Sequence, residues 1–445
     1  MITDMGTDPS VLAFGAHLKN RICRWDATHL RESELHGDLS EAQACRAMWS
    51  QAEEWLGSMD STRSTWGVMA HDLHPDFAST ECAWHWAQQL DCPALGVQHH
   101  HAHLAAVACE HGIDEPMLGW ALDGYGMGSD GQAWGGELLW VHGSRWCRLA
   151  HLEPLALPGG DRAAREPWRL ALAALHLIQG LSEPHCLHAI PEPARQAVRS
   201  MIAQGVNCPS SSSAGRWFDA LSALLGLCLE QDTDAQAPQA LQAMAEKALP
   251  HQSQLALHTL KTRAAGTSLS QHVPNEALEV QKMVPTEVPS VVPSVVPMTD
   301  LVEHAMQVNH TLGPAMAALS FHENLAHRLS ECLLQWLNKL SPHQPQLLAH
   351  VSLSGGCMAN PLLRNAMARH LTSAGLSVHT LAPKVHGDEH VAMGQAWVAR
   401  DWLKRHPDAH GFGAWRCEPL AGLAQSHGAP MASIPSATSL KLEFV

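Results

Sequence analysis

Two apolar segments that each lead into a glycine-rich turn constrain the fold of this chain more than any other feature. Residues 117–122 lead into Asp123 and the turn 124–128, and residues 347–353 lead into Ser354-Gly355-Gly356, after which a helix is predicted. Glycines allow the backbone to approach a phosphate or a reacting centre closely, and amides at a helix N-terminus face an anion. One strand–glycine–helix unit in each half therefore predicts two similar lobes that face a shared cleft.

A pair of histidines precedes the first of these units. His99 and His103 lie four residues apart at the start of an apolar helical pattern. This spacing places both imidazoles on one helix face, which is the geometry of a two-histidine metal site. The chain has 32 histidines, so pairs with this spacing are also expected by chance. Glycine-rich turns are common at ordinary strand ends as well. Spacing alone therefore leaves open that the histidine pair binds no metal and that the glycine turns bind no ligand.

Alternating strand and helix patterns predict an α/β architecture. Strands are predicted at 11–15, 21–25, 66–70, 94–98, 117–122, 136–141, 147–151 and 347–353, and helices at 40–56, 79–90, 102–110, 163–248 and from about 311 past 333. By position, the chain divides into a first lobe (1–115), a second lobe (116–404) with a helical insertion (163–248), and a tail (405–445) without clear periodicity.

Regularly spaced prolines mark an interruption of the second lobe. The repeat at 288–297 excludes a helix or a central strand, because proline lacks the backbone donor that both need. Residues 249–298 are therefore interpreted as an extended or disordered linker, in preference to a partner-binding segment.

Composition narrows the cellular setting and the ligand classes. The 12 cysteines include no Cys-x-x-Cys pair, which excludes finger-type zinc sites and fits a reduced, cytoplasmic protein. A formal net charge of -15 argues against broad, charge-driven binding of nucleic acid. The N-terminus lacks the pattern of a signal peptide, and no apolar stretch is long enough for a membrane span, so no membrane association is expected.

Motifs along most of the chain resemble the transferase domain of the HypF family of hydrogenase maturation carbamoyltransferases. The resemblance implies two actin-like ATPase (RNase-H-like) lobes that flank a nucleotide and metal cleft. It also implies a stand-alone transferase without the acylphosphatase, zinc-finger and YrdC-like adenylating domains of full-length members. The matching segments are 11–20, 36–39, 70–76 with Ser79-Thr80, 97–103, 122–137, 157–161, 165–169, 214–219, 351–360 and Gly387-Asp388.

The same resemblance implies the site residues and the cofactors. The metal ligands would be His99, His103, Asp123 and Asp388, and the first three would be the catalytic residues. The metal would be divalent iron or zinc, and the donor an ATP-derived carbamoyl-adenylate. The residues implied to lie against the nucleotide are Gly124, Gly126, Gly128, Gly355, Gly356 and Asn360.

Structural alternatives accompany several of these assignments. Asp123 could cap the turn that follows its strand, and Asp388 could be the N-cap of a helix over 389–405. The string that includes His71 and Asp72 could be a polar loop after a strand. Cys357 is interpreted as a small buried filler rather than a reactive thiol.

Two positions depart from the family pattern. Glu389 and His390 stand where the family usually has two glycines, so their side chains could crowd the phosphate path or add a metal ligand. Asp234 and Ala235 replace a glutamate and a glycine, which puts nucleoside contacts in question.

The resemblance predicts transfer of a carbamoyl group to the C-terminal cysteine of a HypE-type protein, in maturation of the cyanide ligand of [NiFe]-hydrogenase. A separate protein would then form the carbamoyl-adenylate. The alternatives are O-carbamoylation of a small hydroxylated metabolite and a non-catalytic maturation scaffold.

Overall fold

A computed structural model describes residues 9–26, 29–57, 66–251, 292–341, 350–382, 387–417 and 419–420. The strands are β1 (Ser10–Ala13), β2 (Cys23–Trp25), β3 (Leu30–Glu32), β4 (Trp66–Asp72), β5 (Pro93–Val97), β6 (Met117–Met127), β7 (Ala133–His142), β8 (Arg145–Leu152), β9 (Leu155–Ala156), β10 (Ser210–Ser211), β11 (Ser294–Val296), β12 (His350–Ser354), β13 (Ser377–His379) and β14 (Gly413–Arg416). The helices are α1 (Ala42–Gly57), α2 (Ala78–Gln89), α3 (His99–His111), α4 (Asp161–Arg165), α5 (Pro167–Leu177), α6 (Glu192–Gln204), α7 (Ala214–Leu224), α8 (Gln236–Glu246), α9 (Thr299–Leu312), α10 (Pro314–Leu340), α11 (Pro361–Ser373) and α12 (Val391–Arg405).

Each of two sheets combines an antiparallel meander with parallel strands. The first has the order β14-β5-β4-β1-β2-β3, in which β1, β2 and β3 are antiparallel and β4 runs parallel to β1. The second has the order β11-β8-β7-β6-β12-β13, in which β6, β7 and β8 are antiparallel and β12 runs parallel to β6. The shared pattern confirms the predicted α/β fold with two similar lobes.

Helix α3 lies between the two lobes and is buried along most of its length. Its side chains from His99 to Ala108 are all buried, and the helix packs against α12 on one side and against β6 and β12 on the other. Small residues make this close packing feasible. Leu104 and Ala108 join a core cluster with β6 and β7, while Ala102 and Ala105 join a cluster with α12. The histidines of α3 are therefore held in the interior where the lobes meet.

Helices cover both faces of the first sheet. Helices α3 and α12 lie on one face, and α1 and α2 on the other. Helix α12, which belongs to the second lobe by sequence position, packs mainly on α3 and on β1 and β4 of the first sheet. The segment 163–248 contains α5 to α8, the end of α4 and the two-residue strand β10, so it is mainly helical. Within the described parts of the chain, none of the helices has the length and apolar character that a bilayer crossing needs.

The linker prediction is wrong at its C-terminal end. Residues 294–296 form β11, which pairs in parallel with β8 at the edge of the second sheet. Pro293 and Pro297 flank this short strand rather than interrupt it, and an edge strand needs hydrogen bonds on one side only. Residues 252–291 of the predicted linker lie outside the described residues.

Strand β14 lies within the predicted tail 405–445, where no strand was predicted. This strand extends the first sheet by pairing in parallel with β5. Cys417 and Leu420 then contact the backbone and ring of Trp146 in the second lobe, where Trp146 Nε1 donates to Cys417 O over 3.0 Å. Four residues are too few for a periodicity signal, and the pairing partner is distant in sequence. The tail from residue 421 lies outside the described residues.

Candidate metal and nucleotide site

Four of the predicted site residues converge where the two lobes meet. His99 and His103 come from α3, Asp123 from β6, and Asp388 from the short turn before α12. One potential ligand atom of each lies within 4.8 Å of the others. The Nε2 atoms of His99 and His103 are 3.2 Å apart. They lie 3.2 Å and 3.0 Å, respectively, from Asp123 Oδ2. Asp388 Oδ1 lies 3.6 and 3.5 Å from the same two nitrogens.

These separations suit a small divalent cation. Ligands at about 2.0–2.1 Å from a tetrahedral zinc stand about 3.3 Å from one another, and mixed histidine and carboxylate sets also bind iron(II). Among the described residues this is the group whose donors converge in that way. The donor set therefore fits the predicted metal, and it does not distinguish iron from zinc.

Asp72 orients one of the two histidines. His99 Nδ1 donates to Asp72 Oδ2 over 2.7 Å, and both side chains are almost fully buried. This bond directs Nε2 of His99 towards Asp123 and Asp388, as carboxylates commonly do for metal-binding histidines. Asp72 ends β4, and His99 follows β5, so the adjacent carboxyl ends of two parallel strands bring them together. That strand position was the signal by which the sequence could have singled out Asp72.

The charge of the cluster also favours a cation. Burial lowers the pKa of His99, but Asp72, Asp123 and Asp388 raise it well above the ordinary histidine value. Burial likewise raises the pKa of Asp123, whereas hydrogen bonds from His103 and His99 lower it well below its usual range. Two buried carboxylates and the partly buried Asp388 thus face two imidazoles, and such a group needs positive charge.

The Ser354-Gly355-Gly356 turn lies directly against Asp123. Gly355 has φ +93°, and a Cβ there would stand 2.4 Å from the carbonyl oxygen of Leu122. Asp123 Oδ1 accepts hydrogen bonds from the amides of Gly124 at 2.8 Å and of Gly356 at 3.3 Å. The structure differs here from the prediction, because residues 124–127 belong to the bulged strand β6 rather than to a turn. Strands β6 and β12 are neighbours in the second sheet, so both glycine segments meet around one carboxylate of the second lobe and not one in each lobe.

The other predicted nucleotide contacts have different surroundings. A Cβ on Gly126 would stand 2.6 Å from the His100 ring, so this glycine packs on the histidines. A Cβ on Gly128 would stand 2.3 Å from Trp134 Nε1. Asn360 is the N-cap of α11, where its Oδ1 accepts from the amides of residues 362 and 363 while Nδ2 contacts His322. Nucleotide contact by these three residues remains a prediction.

Two further residues near Asp123 carried no role in the sequence prediction. Ser213 Oγ donates to the carbonyl oxygen of Asp123 over 2.7 Å and also caps α7. Arg216, in the first turn of α7, has Nη2 3.8 Å from the position that a Cβ on Gly124 would take. Its Nε is buried without a hydrogen-bond partner in the structure, while the same Nη2 forms an ion pair with Asp219 Oδ2 over 2.9 Å. A guanidinium beside a glycine segment suits an anionic ligand.

The two departures from the family pattern have clear structural outcomes. His390 Nδ1 lies 3.0 Å from Glu32 Oε1, and Glu389 Oε2 lies 4.0 Å from Arg21 Nη2. Both side chains thus pair with the β2–β3 region and are not part of the four-residue cluster. Ala235 adopts φ +60°, a left-handed conformation that costs a non-glycine residue about 1–2 kcal/mol.

We expect the double substitution Glu389→Gly/His390→Gly to weaken metal binding by roughly tenfold, as loss of outer-shell support commonly does. The ion pair of Glu389 and the hydrogen-bond contact of His390 hold the turn that carries Asp388, and glycines would free its backbone. A competitive titration with a fluorescent metal chelator measures the change. The matched control is Asp408→Gly/His410→Gly. It removes one carboxylate and one imidazole from exposed positions away from this turn. Unchanged affinity in the first double variant would contradict the supporting role.

Comparisons with known proteins agree with this architecture. The family model described as "HypF Kae1-like domain" matches residues 6–110. The model "Carbamoyltransferase, Kae1-like Domain, second subdomain" matches residues 119–395, which is more than half of the chain. The chain belongs to the HypF carbamoyltransferase family.

Individual HypF relatives differ in length. The carbamoyltransferase HypF homolog of Cupriavidus necator is 40% identical over 391 residues, 87% of this chain and 91% of that protein. Carbamoyltransferase HypF of Rhizobium leguminosarum bv. viciae is 34% identical over 400 residues, 89% of this chain but 46% of that protein. The chain thus matches nearly all of the first relative and about half of the second.

Solved HypF structures share the fold. The crystal structure of full-length HypF in its phosphate- and nucleotide-bound form has a TM-score of 0.69 and 25% identity, covering 90% of this chain and 47% of that chain. The structure of T. kodakarensis HypF has a TM-score of 0.72 at 24% identity and covers 90% of this chain and 49% of that chain. The predicted family and fold are therefore confirmed.

Proposed function

We propose that this HypF-family chain transfers a carbamoyl group from carbamoyl-adenylate to the C-terminal cysteine of a HypE-type protein. A separate protein would supply the carbamoyl-adenylate. The observation that carries the proposal is the convergence of His99, His103, Asp123 and Asp388 beside two glycine turns. A metal site and an anion site would then meet at one point, which is what transfer from a carbamoyl–phosphate mixed anhydride needs.

The four-residue cluster would hold a divalent iron or zinc ion. Bound there, the ion would supply Lewis-acid polarisation of the carbamoyl oxygen. Asp72 fixes the ring orientation of His99, and Ser213 holds the backbone of Asp123. His99, His103 and Asp123 are buried and Asp388 is partly buried, which limits water around the reacting carbon and strengthens electrostatic interactions there.

The adenylate phosphate would lie at Gly124, Gly355 and Gly356, with the guanidinium of Arg216 beside it. In the transfer step, the acceptor sulfur attacks the carbamoyl carbon and a C–S bond forms. The C–O bond to the adenylate phosphate breaks, and AMP leaves with the bonding pair. The thiol proton passes to solvent or to the departing phosphate. The products are AMP and a protein thiocarbamate.

The test is intact mass spectrometry of a HypE-type acceptor after incubation with this chain, ATP, carbamoyl phosphate and a separate adenylating domain. We expect a mass gain of one carbamoyl group that requires both the chain and the adenylating domain. An acceptor with its C-terminal cysteine changed to serine is the control and should gain nothing.

A full-length relative in a parallel reaction shows that donor and acceptor are competent. No gain with this chain, alongside a gain with that relative, would overturn the proposed acceptor. Carbamoylation of a small hydroxylated compound in the same mixture would favour the O-carbamoyltransferase alternative. Absence of both products would favour a scaffold.

A further inference from the structure

Three histidines meet outside the cleft, at the C-terminal end of α3. His350 Nδ1 lies 2.9 Å from His379 Nε2, with ring centroids 5.0 Å apart. The His111 ring meets the His379 ring edge to face, with the ring centroids 4.8 Å apart. His111 Nε2 contacts the carbonyl oxygen of Thr380 over 3.0 Å. None of the three takes part in the cleft described above.

The topology explains why residues so distant in sequence meet here. His350 opens β12 and His379 closes β13, and these parallel strands pair with Ser352 opposite His379. His350 and His379 therefore stand diagonally on the same face of the sheet, within reach of each other. Helix α3 packs against β12, and His111 is its last residue before the Gly112 cap. One helix end and two strands thus present three imidazoles to one small volume.

We propose that His111, His350 and His379 form a second metal site, which binds a borderline transition-metal ion such as Zn²⁺ through three imidazole nitrogens. An all-imidazole set favours zinc, nickel or copper over magnesium or calcium, which take oxygen ligands. Water would complete a tetrahedral shell, as in open three-histidine zinc sites. The inference does not depend on the proposed function.

The two strand histidines need only a small adjustment to bind one ion, whereas His111 needs a different side-chain orientation. The 2.9 Å separation of the His350 and His379 nitrogens is about 0.4 Å below the edge of a tetrahedral zinc shell. A slight rotation of either ring provides that difference. The exposed His111 side chain has to turn from the Thr380 carbonyl to direct a nitrogen inwards. Exposure of His111 also leaves a route from solvent.

The protonation state supports metal binding. Burial, His111 and His350 together lower the pKa of His379, which favours the neutral form of this ring. Neutral imidazole is the form that binds metals. Without a metal, two of the rings share a single hydrogen bond, and a cation would satisfy both nitrogens at once.

The site would also connect two parts of the fold. His111 stands eight positions after His103 on the same helix, about 12 Å further along the axis. The other two histidines belong to the second sheet. A metal bound there would hold helix α3, which carries His99 and His103, against the second sheet. Because the metal binds the folded state, it would raise the melting temperature.

The experiment measures Zn²⁺ stoichiometry of the full chain by equilibrium dialysis against a weak competing chelator, which suppresses binding by scattered histidines. We expect two equivalents for the wild-type chain and one for His350→Ala/His379→Ala. We expect one equivalent for His99→Ala/His103→Ala as well. The single variant His111→Ala, at an exposed helix end, should weaken the second equivalent by about 10-fold to 100-fold while the fold stays intact.

A matched control is His327→Ala/His370→Ala, which removes another adjacent pair with ring centroids 5.2 Å apart. This variant should keep two equivalents. A single equivalent in the wild-type chain that is lost with His99→Ala/His103→Ala would overturn the second site and leave the cleft site intact. If the His327→Ala/His370→Ala variant lost as much bound Zn²⁺ as the His350→Ala/His379→Ala variant, the ions would be binding histidines unspecifically. That result would also overturn the second site.

Discussion

Asp123→Asn should abolish binding of the cleft metal and reduce carbamoyl transfer by about 1,000-fold or more. Asp123 contacts both Nε2 nitrogens through Oδ2 and the amides of Gly124 and Gly356 through Oδ1, so one side chain links the proposed metal and anion sites. Lewis-acid stabilisation supplies several kcal/mol, and each 1.36 kcal/mol changes the rate tenfold. The measurements are metal content by mass spectrometry and the initial rate of acceptor carbamoylation.

Two further variants should lose less metal binding and less carbamoyl transfer than Asp123→Asn. Asp72→Asn keeps the four ligands and weakens only the orientation of His99, so a loss of about 10-fold to 100-fold is expected. Asp114→Asn, on the exposed loop after α3, removes the same charge outside the cleft and should change neither quantity. Full metal content together with full transfer in Asp123→Asn would rule out the ligand role of Asp123.

Gly394→Ala should destabilise the folded chain by about 2–3 kcal/mol, although alanine in a helix interior normally stabilises by about 0.5–1 kcal/mol. Gly394 faces α3 at the closest approach of α12. A Cβ there would stand 1.9 Å from the carbonyl oxygen of Ala102 and 2.9 Å from the amide nitrogen of Ala106. Both atoms are backbone, so the helices must separate. Urea unfolding followed by circular dichroism measures the change.

Gly57→Ala is the matched control for this substitution. Gly57 is the last residue of α1, and a Cβ there would meet nothing within 4 Å. This change should leave stability unaltered or raise it slightly. Because α3 carries His99 and His103, Gly394→Ala should also lower metal affinity. Equal urea midpoints for Gly394→Ala and wild type would show that α12 does not approach α3 this closely.

Local patterns in the sequence predicted a large part of this architecture. The β6 and β12 units, each a short apolar strand that runs into glycines, were recognisable because their signals are confined to about ten residues. The histidine pair was visible for the same reason, since a spacing of four places two side chains on one helix face. The four predicted metal ligands do converge in space, while their binding of a metal remains a proposal.

Some features depend on partners that are far away in the chain. Strands β11 and β14 are three and four residues long, and each is stabilised by pairing with a strand more than a hundred positions away. The sequence also could not show whether Asn360 contacts a ligand or caps a helix, because asparagine is suited to both roles. The directions of Glu389 and His390 depended on Arg21 and Glu32 in the other lobe.

The sequence by itself determined the fold class, the family and the short segments that supply the cleft residues, because periodicity and motif spacing are local properties. Only the tertiary structure decided which side chains share a volume. Burial of α3 between two sheets brings Asp72, Asp123 and Asp388 to its histidines, and the parallel pairing of β12 with β13 brings His350 to His379. Those distances follow from packing of the whole core, in which contributions from remote residues are summed.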